Sequence, residues 1–138
     1  MKTDLLLDTH IFLWLMNGDT TLKQEHQELI QKTCTSHFLF IAAISVWEIA
    51  MLQKKNRICL TQPLHQWFDK VGSLPFIKIA PLSRQISVES CFLPGTFHGD
   101  PADRMIVATS RVLDIPLLTR DHKIIQYAQE SHIKIISC

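Results

Sequence analysis

A chain of 138 residues, 46% hydrophobic and 20% charged, is long enough for a buried core and too apolar for disorder. Its net charge of +1 excludes a globally polycationic nucleic-acid binder, so any contact with a polyanion rests on local patches. Cys34, Cys59, Cys91 and Cys138 form no C-x-x-C pair and are expected as free thiols, and the longest apolar stretch, Phe38 to Trp47, is too short to span a membrane.

The first apolar run, Leu5–Leu7, ends on Asp8. With one lysine before it, it reads as a strand rather than a cleavable leader, so a soluble, cytoplasmic chain is expected. Ile11, Trp14 and Leu15, at i, i+3 and i+4, predict a short helix halted at Asn17-Gly18-Asp19. Leu22 to Thr33 is polar apart from a stripe of Leu22, Leu29 and Ile30, the pattern of a surface helix. Phe38–Ile41 is the second strand, followed by a helix over Ser45 to Lys55 with Val46, Ile49 and Ala50 toward the core. Leu64, Trp67, Phe68 and Val71 make the next helix after Pro63, and Phe76–Ala80 is the third strand. Ile86, Val88 and Phe92 mark another helix, and Leu93 to Gly99 reads as a loop. Asp100-Pro101 opens a helix through Ile106, Val107 and Leu113. Leu117-Leu118 is the fourth strand, Ile124 to Gln129 the last helix and Ile133–Ile136 the fifth strand. Strands alternating with helices predict one domain over residues 1–138. Its architecture is a three-layer α/β/α sandwich around a mostly parallel five-stranded sheet.

In such a sheet the carboxyl ends of the strands share one edge, and a helix that precedes a parallel strand starts there. Asp8 closes the first strand, Glu48 lies just past the second, Asp103 is in the first turn of the helix before the fourth, and Asp121 follows the fourth. Each acid has an ordinary structural explanation. Ser45-x-x-Glu48 fits a capping box, Asp8 and Asp121 suit N-caps, and Asp103 suits a helix dipole. Asp100, before Pro101, is the best N-cap in the chain. Capping does not explain why so many acids fall on one edge. Two carboxylates about 4 Å apart repel by roughly 4 kcal/mol at an effective dielectric of about 20, a cost that a cation removes. Oxygen ligands without organised Cys or His favour Mg²⁺ or Mn²⁺, and water activated by such an ion hydrolyses phosphodiesters.

The residues around these acids carry a resemblance. Leu6-Leu7-Asp8-Thr9-His10 with Leu13-Trp14 resembles the opening motif of PIN-domain ribonucleases, and Ser45-Val46-Trp47-Glu48-Ile49-Ala50 their second. Asp100-Pro101-Ala102-Asp103-Arg104-Met105-Ile106-Val107-Ala108 is similar to the third, and Leu118-Thr119-Arg120-Asp121 to the fourth. The ordered set spans nearly the whole chain, and its Asp-Pro-Ala-Asp-Arg form is most similar to VapC-type toxins of bacterial type II toxin–antitoxin systems. The resemblance implies a PIN-like fold and a metal-dependent endoribonuclease that is usually dimeric and is held inactive by a cognate antitoxin. It puts the catalytic, metal-binding acids on Asp8, Glu48, Asp103 and Asp121, with Asp100 in a supporting role. Thr119 is placed to hydrogen-bond a carboxylate or water, and Ser45 and Arg104 are further supporting candidates. Where many relatives place glycine after the second helix, this chain has Lys54-Lys55-Asn56-Arg57-Ile58, and Asn also tolerates the left-handed conformation of a helix end.

Lys54, Lys55 and Arg57 form the densest basic cluster, read either as a solvated helix end or as contacts to an RNA backbone. Trp14, Trp47 and Trp67 sit at helical spacings with other apolar residues, and core packing is expected of them. A catalytically silent PIN-like binding module and a housekeeping ribonuclease without an antitoxin are the alternative readings. A silent module would be expected to lose one or more acids, and this chain retains all four.

Overall fold

Leu5, Leu6 and Leu7 lie within 1% of complete burial because β1 (Leu5–Leu7) runs through the middle of the sheet. The computed structural model describes residues 3–138. After β1 come α1 (Thr9–Asn17), α2 (Gln24–Ser36), β2 (Leu39–Ala42), α3 (Ala43–Lys54) and α4 (Leu64–Gly72). Then follow β3 (Ile77–Ala80), α5 (Arg84–Cys91), α6 (Pro101–Leu113), β4 (Leu117–Thr119), α7 (His122–Ala128) and β5 (Ile135–Ser137). The strands form one sheet in the order β3-β2-β1-β4-β5, and every pairing is parallel.

Alternation along the strands divides the core. Leu5, Leu7 and Leu118 point to one face, where they meet Phe12 of α1, Ile30 of α2 and Trp67 and Val71 of α4. Leu6 and Leu117 point to the other and meet Ile106 and Val107 of α6 and Ile124 and Tyr127 of α7. Each fully buried leucine stabilises the fold by about 1.5–3 kcal/mol, so the two layers together tolerate some unfavourable electrostatics elsewhere. The expected three-layer α/β/α architecture is present. The helices after β1 and β4, adjacent strands, depart to opposite faces, which leaves a crevice at their carboxyl ends.

Strand ends shift by a residue or two from the expected ones. β2 starts pairing at Leu39, so Phe38 precedes the ladder and stands half exposed, with the Lys78 ammonium 3.9 Å from its ring centroid. β5 starts at Ile135 rather than Ile133, and α7 starts at His122 because Asp121 caps it. Of the three tryptophans expected in the core, only Trp67 is deeply buried. Trp47 is exposed, because the buried side of α3 runs through Ser45 and Ile49. Val88 and Phe92 are likewise exposed, and Ile86 and Ser90 supply the inner face of α5. The four cysteines are free thiols, and no helix among the described residues is long and apolar enough to cross a membrane.

Candidate active site

Asp8 leaves the end of β1 as the N-cap of α1. Its Oδ1 accepts from the Thr9 amide at 2.8 Å, and its Oδ2 accepts from Thr119 Oγ1 at 2.6 Å. The Asp8 amide donates to Leu118 O, which fixes the turn against β4. Asp121 caps α7 by accepting from the amides of Lys123 and Ile124 at 2.8 and 3.2 Å, while its own amide donates to Thr119 Oγ1 at 3.0 Å. One hydroxyl thus accepts from the Asp121 backbone and donates to the Asp8 carboxylate.

Glu48 enters from α3. The capping box expected for Ser45-x-x-Glu48 is absent, because α3 starts earlier, at Ala43, with no side-chain cap. Ser45 lies inside the helix, fully buried, with its Oγ 2.8 Å from Thr9 Oγ1, and Thr9 Oγ1 lies 2.6 Å from Glu48 Oε1. A hydroxyl carries one proton and a carboxylate carries none, so Thr9 donates to Glu48 and Ser45 donates to Thr9. Thr9, missed as an individual site residue in the sequence, is therefore the link between α1 and α3. The only local signal for it was its place directly after a strand-end acid.

Asp103 lies in the first turn of α6, where its amide donates to Asp100 Oδ1, the N-cap, at 2.9 Å. Asp8, Glu48, Asp100, Asp103 and Asp121 all line one cleft of about 490 Å³ with Thr9 and His10. Across this cleft Arg120 lies over the Trp14 ring, 5.1 Å from its centroid. Arg104 does not face the cleft. Its Nε donates to Ser90 O at 2.9 Å and its Nη1 to Phe97 O at 3.1 Å, so it ties the loop that delivers Asp100 to the end of α5. Lys55 and Arg57 border a neighbouring cleft, and Lys54 lines neither.

The acids strain one another. Burial pushes the Asp103 carboxyl up to about 7, helped by the charges of Asp100, Asp121, Asp8 and Glu48. Burial also raises Asp8, against the hydrogen bonds from Thr119 and Thr9, and raises Glu48, against the bond from Thr9. Among the described residues none of Asp8, Glu48, Asp103 and Asp121 is ion-paired. Nor do three or more His, Cys, Asp or Glu side chains there stand close enough to hold a metal ion as they are. Carboxylates gathered on one cleft repel one another, a cost that a bound cation would remove.

A parallel sheet in this order, with acids gathered at its carboxyl edge, is the architecture of a PIN domain, and the PIN-domain family model matches residues 5–130. The chain is 30% identical over 122 residues to Ribonuclease VapC22 of Mycobacterium tuberculosis (strain ATCC 25618 / H37Rv), a match covering 88% of this chain and 90% of that one. The chain belongs to the PIN-domain family, among its VapC-type members. A chain of VapBC2 from Rickettsia felis, solved bound to a promoter DNA fragment, superposes with a TM-score of 0.69 at 15% identity over 98% of both chains. A toxin–antitoxin complex from Klebsiella pneumoniae gives 0.64 at 21% identity over 96% of both, so these two share the fold.

Proposed function

We propose that this chain is a divalent-metal-dependent endoribonuclease that acts as the toxin of a type II toxin–antitoxin system. The carrying observation is the gathering of Asp8, Glu48, Asp103 and Asp121 on one cleft with no ion-paired cation among the described residues. A donor set made of oxygen and short of positive charge fits Mg²⁺ or Mn²⁺. These four residues would hold the ion, which when bound supplies an acidified water and positive charge beside the phosphate. Thr119 and Thr9 favour the charged form of Asp8 and Glu48 against their burial, and fix one orientation, by donating to carboxylate oxygens. Arg120, braced over Trp14, stands where it can bind a neighbouring phosphate.

RNA as the substrate is supported by the name of the VapC22 relative, and a cognate antitoxin as the partner by the complexes in which the structural neighbours were solved. We place the whole activity in one nuclease domain over residues 1–138, working as a homodimer or as a hetero-oligomer with the antitoxin. The test is purified protein on labelled RNA with Mg²⁺ or Mn²⁺, which cuts it, and with excess EDTA, which stops it. Cleavage that persists in EDTA overturns the metal requirement. Expression in bacteria arrests growth, relieved by a small protein encoded beside the toxin. Intact nuclease without arrest assigns the chain to housekeeping instead.

A further inference from the structure

A second cleft, of about 310 Å³, opens beside the acidic one and shares His10, Glu48 and Asp100 with it. α3 supplies one wall. Glu48 faces both clefts, while Trp47 and Met51, one turn apart, border the second alone. Trp47 leaves 53% of its surface in water, a large apolar area with no packing role. At the end of α3, Asn56 adopts a left-handed conformation (φ 56) that stops the helix. The chain turns back there, so that the Arg57 amide donates to Leu52 O at 2.9 Å. The turn puts Arg57 beside Lys55 at the border of this cleft, and neither is ion-paired among the described residues.

An RNA strand is repelled by four carboxylates, so it needs positive charge close by to bring its backbone over them. Lys55 and Arg57 supply that charge, but cations alone give no use to an open indole. An exposed aromatic face next to cations matches a nucleotide, with the base on the ring and the phosphate on the cations. We propose that this second cleft is a nucleotide subsite, in which Trp47 stacks on an unpaired base beside the scissile phosphate while Lys55 and Arg57 hold that nucleotide's phosphate. This rests on the ribonuclease reading above and makes the substrate class more specific. A stacked base must be free of its partner strand, so the subsite selects single-stranded RNA over duplex.

The test measures binding of fluorescein-labelled oligouridylate, oligoadenylate and a fully paired hairpin, in an Asp121→Asn background that stops cleavage. Trp47→Ala weakens both single strands by about tenfold or more, whereas Trp47→Phe, which keeps a stacking face, stays within about threefold. The slope of log affinity against log salt is unchanged by Trp47→Ala, and the paired Lys55→Ala and Arg57→Ala substitutions, which release one phosphate, flatten it by about 0.7. The hairpin does not respond to Trp47. With Asp121 restored, Trp47→Ala raises KM and leaves kcat near the wild-type value. If Trp47→Ala binds single strands like its parent while the wild type still cuts RNA, the subsite is overturned and the face belongs to a protein partner or to solvent. A wild-type chain that neither binds nor cuts RNA overturns the ribonuclease reading and the subsite with it. Unchanged circular dichroism confirms that the variants fold.

Discussion

Thr119 donates a 2.6 Å hydrogen bond to Oδ2 of Asp8, a residue 111 positions earlier in the chain. The contact joins the ends of two adjacent strands, and it uses a hydroxyl whose lone pair already accepts from the Asp121 amide. The donor that orients one acid is thereby positioned by the backbone of another.

Thr119→Val keeps the shape of the buried side chain and removes the donor. Cleavage falls by about 10- to 100-fold, as for other partners that orient a metal ligand. Thr119→Ser restores most of it. A valine variant with wild-type rate at limiting Mn²⁺ would show that Asp8 needs no such partner.

On the proposed reading, charge and not hydrogen bonding is what Glu48 and Asp121 contribute to cleavage. Glu48→Gln still accepts from Thr9, and Asp121→Asn still caps α7, yet each loses RNA cleavage by more than about 100-fold. Neither lowers the melting temperature of the metal-free protein. Removing one of several repelling charges raises it by about 1–4 °C. Thermal unfolding in EDTA checks the sign, and a clear drop with either variant would make that acid structural.

Asp103 carries the pH dependence. Its carboxyl titrates near 7 in the fold against the usual 3.8, so between these values the native chain keeps a proton that the unfolded chain has lost. Stability of the metal-free protein is therefore largest at the acid end of this window and declines as pH rises from about 4 to about 7. Asp8 and Glu48, also raised, act in the same direction. Affinity for the proposed ion runs the other way, because its binding displaces the proton, and it rises with pH until about 7. Asp103→Asn flattens the stability profile in EDTA. Equal slopes in variant and wild type would refute the assignment.

Gly99 is required for space. A Cβ there would overlap Cε1 of Phe97, whose ring is buried and meets Tyr127 edge-on at 5.0 Å between centroids. Gly99→Ala overpacks this corner at a cost of about 1–3 kcal/mol and moves Asp100 and Asp103 with the loop. Urea denaturation measures the first effect. Cleavage in Mn²⁺ measures the second, and it falls even where the chain is fully folded.

The alternation of strands and helices was legible because several element boundaries carry a strong signal. Asp8 closes β1, Asp100-Pro101 opens α6, and Asp121 opens α7. Grouping the acids on one sheet edge followed from parallel topology alone. What escaped were contacts between distant segments. Ser45-x-x-Glu48 matched a local cap, but both side chains bond instead to Thr9, 36 and 39 residues away. Arg104, beside an acid in sequence, turns its guanidinium to backbone carbonyls of α5 and the loop after it. Trp47 reads as core by its helical spacing with other apolar residues, and only the rotation of α3 around Ile49 turns it outward.

The place of β4 between β1 and β5 bears on when, on the proposed reading, the chain becomes active in the cell that makes it. β1 and the first two acids are synthesised early, yet Asp8 has no Thr119 and no Asp121 opposite it until β4 has emerged from the ribosome and inserted. A partly translated chain, or a fragment nicked in the loops before α6, holds only some of the carboxylates and cannot assemble the cleft. On the proposed reading, activity starts with completed folding, which leaves a newly made antitoxin the whole of translation in which to be ready.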